Sequence, residues 1–203
     1  MDHPVLTLAL LVLLVPPSAL GQPTSSDPPH PTFDDRVTVM AGLNQIALGG
    51  VNVAASVHRG RFVAEYSHGI ALDFNTFDDA LLIEADRDIG LDLDVPWTTG
   101  FGLGYRLTPR LDVRAEFKAH RHEASVEGAV AAEYTTFTAG AGVYYALPLG
   151  RGFRLEPSVR YWPTVATTLD DGVVQFEMTD GSVVVHEAYD IRPFVNVSVG
   201  YGF

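Results

Sequence analysis

The side chains best placed to do chemistry are charges that recur at every second position. Arg61 and Glu65, Arg106, Asp112, Arg114, Glu116 and Lys118, Arg154, Glu156 and Arg160, and Asp190 and Arg192 share the polar phase of alternating segments. If that phase faces the inside of a small closed barrel, the charges must meet, because such an interior is only wide enough for side chains. Two functions then compete. One is a gated pore or proton path; the other is a salt-bridge network that plugs the lumen and pins strand register. The second is preferred, because the lumen is too narrow for a permanent water column. Removing one partner from such a network costs roughly 3–5 kcal/mol, since it leaves a buried charge uncompensated.

The histidines invite a hydrolytic reading. His120, Arg121, His122, Glu123 and Ser125 cluster at a strand–loop junction, and His68 falls on the apolar phase of its own strand. A nucleophile and its base must come within hydrogen-bond reach, and nothing in the spacing requires it here. No catalytic residue, cofactor site or metal site is therefore expected. The long polar segments are acidic. Segment 73–95 holds Asp73, Asp78, Asp79, Glu84, Asp86, Asp88, Asp92 and Asp94 against Arg87 alone, and segment 167–188 holds Asp170, Asp171, Glu177, Asp180 and Glu187 with no base. Divalent cations or a basic partner at a cell surface would suit them, but the alternating Asp/Asn spacing of a calcium loop is missing. Solvation, or a salt-rich habitat, is the alternative. The formal net charge of −12 argues against nucleic acid, since no basic stripe exists to neutralise phosphates. There is no cysteine, so disulfide and thiolate chemistry are excluded.

The elements that carry these residues read as strands. From Arg36 onward the apolar period is two rather than 3.6. Tyr189, Ile191, Pro193, Val195, Val197, Val199, Tyr201 and Phe203 alternate with Asp190, Arg192, Phe194, Asn196, Ser198, Gly200 and Gly202. Trp97 to Leu107, Leu111 to Ala119, Phe137 to Leu147 and Phe153 to Tyr161 alternate in the same way. Short turns at His58-Arg59-Gly60, Thr108-Pro109-Arg110 and Gly150-Arg151-Gly152 alternate with long polar segments at 73–95, 122–131 and 167–188. Strands are expected near 36–43, 46–57, 61–72, 96–107, 111–121, 132–147, 153–166 and 189–203, with a tight first outer turn near Asn44-Gln45. This predicts an all-β fold: a closed, antiparallel, up-and-down transmembrane barrel of eight strands. In lipid, closure satisfies the backbone and the bilayer covers the apolar faces. A soluble lipocalin-like barrel would need the opposite polarity.

The aromatic residues fall into two belts. Trp97, Tyr66, Tyr189 and Tyr161 lie towards the loop-side ends, and Tyr105, Tyr145, Phe153, Tyr201 and Phe203 towards the turn-side ends. Pro157 and Pro193 each leave one ladder bond unmade. Phe194, Trp162 and Tyr144 mark a candidate apolar pocket for a small hydrophobic solute.

At the N-terminus, Val5 to Val15 is a mostly aliphatic run too short to span a bilayer, which needs about 20 residues. Pro16-Pro17 end it and Ala19-Leu20-Gly21 follows, so residues 1–21 read as a signal peptide cleaved before Gln22. Residues 22–35 are polar and Pro-rich and read as a flexible lead-in to a barrel at 36–203.

The segment Ile191-Arg192-Pro193-Phe194-Val195-Asn196-Val197-Ser198-Val199-Gly200-Tyr201-Gly202-Phe203 resembles the C-terminal assembly signal of the small OmpA/OmpX-type outer-membrane barrel proteins, with Val197, Val199, Tyr201 and Phe203 as its alternating apolar residues. The resemblance implies a bacterial outer-membrane location, lipid as the surrounding partner and insertion by the barrel-assembly machinery. It leaves activity open, because barrels of this kind serve many functions. Some outer-membrane barrels are lipid A deacylases; His68 suits that family, but Ile70 stands where its His-x-Ser element needs serine. The expected role is thus structural or surface-interacting, with a narrow channel or lateral conduit and an outer-leaflet lipid-modifying enzyme as alternatives. Closure removes sheet edges, so a monomer is expected.

Overall fold

The computed structural model describes residues 32–73, 82–188 and 191–203, with backbone alone for Ile191 and Arg192. The expected signal segment lies outside these residues, as do Tyr189 and Asp190. The barrel unit runs from Phe33 to Phe203. Its wall begins with β1 (Arg36–Gly42), β2 (Val51–Arg59), β3 (Phe62–Asp73), β4 (Asp92–Arg106), β5 (Leu111–Ser125) and β6 (Ala132–Tyr145), which β7 (Leu147–Gly150) continues. It is completed by β8 (Phe153–Trp162), which β9 (Thr164–Thr167) continues past Pro163, and by β12 (Ile191–Gly202). A separate hairpin, β10 (Val173–Glu177) with β11 (Val183–Glu187), stands in the last long loop.

Each wall strand pairs antiparallel with its chain neighbour, and β12 pairs with β1 in the register Thr38↔Gly202 to Gly42↔Ser198. The fold is therefore a closed, antiparallel barrel of eight strands. Its polarity is that of a membrane barrel. Phe62, Leu103, Tyr66, Phe101 and Phe153 point outward, the first two 68% and 65% exposed, while Thr38, Ser56, Glu65, Arg114, Glu116 and Ser198 are buried inside. The polarity is the opposite of a soluble ligand-carrying barrel. On the turn side the outer aromatic residues meet edge to face, Phe62 with Tyr105 and Phe153 with Tyr201.

Four local features depart from the sequence expectation. The second strand begins at Val51, not near 46, because α1 (Leu43–Ala47) occupies the first outer turn. Asn44 holds this turn against β12: its Nδ2 donates to the Val195 carbonyl at 2.9 Å and its Oδ1 accepts from the Val197 N–H at 3.1 Å. In β4 the register against β5 shifts between Asp94 and Trp97, a bulge that contains Pro96. The bulge flips the phase, so Leu93 and Val95 are buried. A second bulge, between Ile191 and Phe194, holds Pro193 and removes the need for its missing N–H. Pro157 falls where the β6–β8 ladder breaks, between the Tyr144↔Ser158 and Leu147↔Leu155 pairs.

Candidate functional site: the barrel lumen and its loop cap

At mid-height the lumen is organised by β5, whose inward residues are Asp112, Arg114, Glu116, Lys118, His120 and His122. Arg114 is the hub. It pairs with Glu65 of β3, donates from Nε to Asp112 at 2.6 Å, and reaches Glu156 of β8 with Nη2 at 3.0 Å. Its guanidinium also lies 3.7 Å from the centre of the Tyr144 ring. Glu65 accepts from Ser56 Oγ at 2.9 Å. One layer up, Lys118 Nζ donates to Ser67 Oγ at 2.8 Å and pairs with Glu116 at 3.2 Å, and the Tyr144 hydroxyl donates to Glu116. Arg160 donates to Ser158 at 2.9 Å and lies over the rings of Tyr144 and Trp162. Tyr144 and Trp162 are therefore covered by cations rather than lining an apolar pocket, and Trp162 meets Phe194 edge to face at 4.7 Å.

The side chains fit because β5 runs between strands rich in glycine. Arg114, Glu116 and Lys118 face Gly104, Gly102 and Gly100 of β4, and Arg114 and Glu116 face Gly142 and Gly140 of β6. Large inward residues on one strand thus stand beside empty positions on both neighbours.

Of the expected lumen charges, Glu65, Arg106, Asp112, Arg114, Glu116, Lys118, Arg154, Glu156 and Arg160 are buried in the barrel. Arg192 has no described side chain and Asp190 is not described. Arg61 is a correction. It sits in the Gly60-Arg61 turn, where Gly60 has φ 51°, and its exposed guanidinium lies 4.4 Å from the Phe33 ring centre. Strand pairing reaches Arg59↔Phe62, which places Arg61 in the turn rather than on the inward face. Arg106 faces inward but meets carbonyls, not carboxylates: those of Asp34, Gly60 and Pro109 at 3.0, 3.0 and 3.2 Å. It also lies 5.1 Å from Phe33. The end of the lead-in is thus strapped to the turn-end mouth, contrary to the flexible reading of its last three residues.

At the loop end the lumen passes into a folded cap. Inward residues Leu93, Ala124 and Tyr134 pack with Leu82, Leu91 and Val126 and with Val174 and Phe176 of the hairpin. Burying each large apolar side chain contributes roughly 1.5–3 kcal/mol. Inside this core His186 Nδ1 meets Asp86 Oδ1 at 3.0 Å, and His186 Nε2 meets the Tyr134 hydroxyl at 2.8 Å. Asp86 belongs to α2 (Glu84–Asp88), His186 to β11 and Tyr134 to β6, so one relay ties both long loops to the wall. All three are at most 2% exposed. The His–Asp pair, sealed among these apolar side chains, joins the two loops as a latch. Below it His122 stacks on Tyr134 at 4.7 Å and hydrogen-bonds Thr136 at 2.9 Å, and His120 hydrogen-bonds Thr98 and Thr138 at 2.9 and 3.2 Å. Sequence reasoning missed this latch, and the short alternation Val174, Phe176 with Val184, His186 was its only local signal.

Outside the cap, strand register aligns Asp73, Asp94, Glu123 and Glu133 across β3 to β6, with Arg121 paired to Glu133. No group of acidic and histidine side chains among the described residues has metal-binding geometry.

No family model matches the chain, and no curated protein matches it. Among solved structures it is similar to a major outer membrane protein from Thermus thermophilus, at 12% identity over 84% of this chain and all 100% of that one, with a TM-score of 0.45. It is also similar to a chain described under de novo design of transmembrane β-barrels, at 16% identity over 85% of this chain and 95% of that one, with a TM-score of 0.30.

Proposed function

We propose that this chain is an integral barrel of a bacterial outer membrane, with a plugged lumen and a non-catalytic structural or surface-interaction role carried by its acidic loops. The inside-out polarity carries the reading: among the described residues, no helix or second sheet covers the apolar outer face of the wall strands, and lipid would do so. A tilted strand needs about 9–11 residues to cross the hydrocarbon, and β4 and β5 have 15 each. Their surplus lies on the loop side of Trp97, which puts Asp92, Asp94 and Glu123 outside the bilayer. The Arg114 hub, the strap at the turn-end mouth and the hydrophobic cap support closure at three levels. Closure also leaves the wall without free edges, which favours a monomer. Acidic loops offer cations or basic partners a surface, and export by residues 1–21 would deliver the chain there.

The test is fractionation of expressed full chain. A band in the outer-membrane fraction that resists alkaline extraction, migrates faster unboiled, begins at Gln22 and is electrically silent in planar bilayers is expected. A soluble product without a heat shift would overturn the membrane assignment, and steady conductance by correctly folded protein would overturn the plug.

A further inference from the structure

A pocket of about 450 Å³ opens at the turn-end mouth, apart from the charge hub at mid-lumen. Arg36, Arg110 and Arg154 form its polar wall, and Pro148, Phe153 and Phe203 belong to its apolar wall. Arg154 is 6% exposed, yet its Nη1 has no hydrogen-bond partner among the described residues and stands 3.7 Å from Glu156 Oε2. Arg36 Nε is also buried without a hydrogen-bond partner among the described residues. Two carboxylates border the same space; Asp34 is taken up by Arg36 itself, and Asp35 by groups outside the pocket. Asp34 pairs with Arg36 Nη1 at 3.2 Å; Asp35 accepts the Gly60 N–H at 2.8 Å and pairs with Arg59 at 3.5 Å. Three arginines thus face two carboxylates, one of them turned away to Arg59 and Gly60, and two buried guanidinium donors keep no acceptor among the described residues.

A buried donor left unmade is costly, and a guanidinium fork matches the oxygens of a phosphate. The apolar wall narrows the source. Phe153 and Phe203 lie on the outer face beside Tyr201, in the turn-side aromatic belt, so the pocket borders lipid headgroups. We infer that the turn-end pocket binds a phosphoryl oxyanion, supplied by the phosphodiester of an anionic phospholipid in the adjoining leaflet. The lipid source rests on the membrane reading above; the donors do not.

The test uses the full chain folded in neutral detergent, with the unboiled gel shift of the same sample reporting the barrel independently. Phosphorus-31 line broadening is titrated with short-chain phosphatidylglycerol and, separately, with inorganic phosphate. Saturable broadening by the lipid is expected, weakened about tenfold or more by Arg154→Gln, the loss of one charge-assisted contact. Arg110→Gln, on an exposed turn, should weaken it as well and covers the case in which Arg154→Gln fails to fold. Arg151→Gln removes an arginine at the same end outside the pocket and should leave binding unchanged. Binding of inorganic phosphate alone, with the same variant pattern, would keep the oxyanion site and overturn the lipid source. Binding of neither probe, or equal loss in all three variants, would overturn the site. Absence of the gel shift would instead indict the membrane reading.

Discussion

The Cβ that Gly104 lacks would stand 2.7 Å from Cγ of Arg114, its cross-strand partner. It would also stand 2.9 Å from the Val113 carbonyl, which cannot swing away. The hub of the lumen therefore depends on a missing methyl group. Gly104→Ala is expected to destabilise the barrel by about 1–3 kcal/mol through overpacking. At Gly102 the added Cβ would meet the flexible Cγ of Glu116 at 3.3 Å, so Gly102→Ala should cost visibly less. Urea midpoints of the gel shift compare the two, and equal losses would refute the packing argument.

Removing the hub itself should cost more. Arg114→Met leaves Glu65, Asp112 and Glu156 buried without their cation, with an expected loss of about 3–5 kcal/mol. Adding Glu65→Gln to that variant removes one stranded charge and should recover part of the loss. A double variant no more stable than Arg114→Met would mean that the carboxylates are solvated rather than held by Arg114.

These two cases show what was legible in the amino-acid sequence. The alternation of β5 placed Arg114 and Glu116 inside, and the glycines of β4 and β6 carried the same period. Residues whose direction depends on a turn or a bulge were harder to place. Arg61 shares the phase of Glu65, yet the turn begins before it; Leu93 and Val95 face inward only because the Pro96 bulge adds a residue. The cap was less legible still. Asp86 and His186 are 100 residues apart, and β10 and β11 are five residues each, too short for periodicity to separate them from a polar loop.

The cap latch should be separable from the barrel. His186→Ala removes the partner of both Asp86 and Tyr134 and leaves two buried groups to be satisfied differently, at about 1–3 kcal/mol each. Limited proteolysis of folded protein should then cut within the loops much faster than in the unaltered chain, while the gel shift of the barrel stays. Tyr134→Phe, which keeps the ring and the Asp86 contact of His186, should have a smaller effect. Loss of the gel shift along with loop protection would mean that cap and barrel fold as one unit.

The acidic row at the loop end of β3 to β6 gives a pH dependence of unusual sign. Asp94 faces Asp73 on one side and Glu123 on the other. Burial first, then Asp92, Asp73 and Glu123, hold its carboxyl above the usual aspartate range. A folded-state value above the unfolded one means that the charged form disfavours the folded loop end of the wall, on which the long loops stand. That cost is fully present above the folded value, is relieved as pH falls through it, and is gone below the unfolded value. Asp94→Asn removes the charge at every pH. At neutral pH the variant should therefore resist loop proteolysis better than the unaltered chain. Below the ordinary aspartate range the two should converge, because Asp94 is then neutral in both folded and unfolded forms. A difference that persists into acid would trace the gain to the shape of the amide rather than to the repulsion, and a variant weaker at neutral pH would mean that the carboxylate is held by a favourable partner.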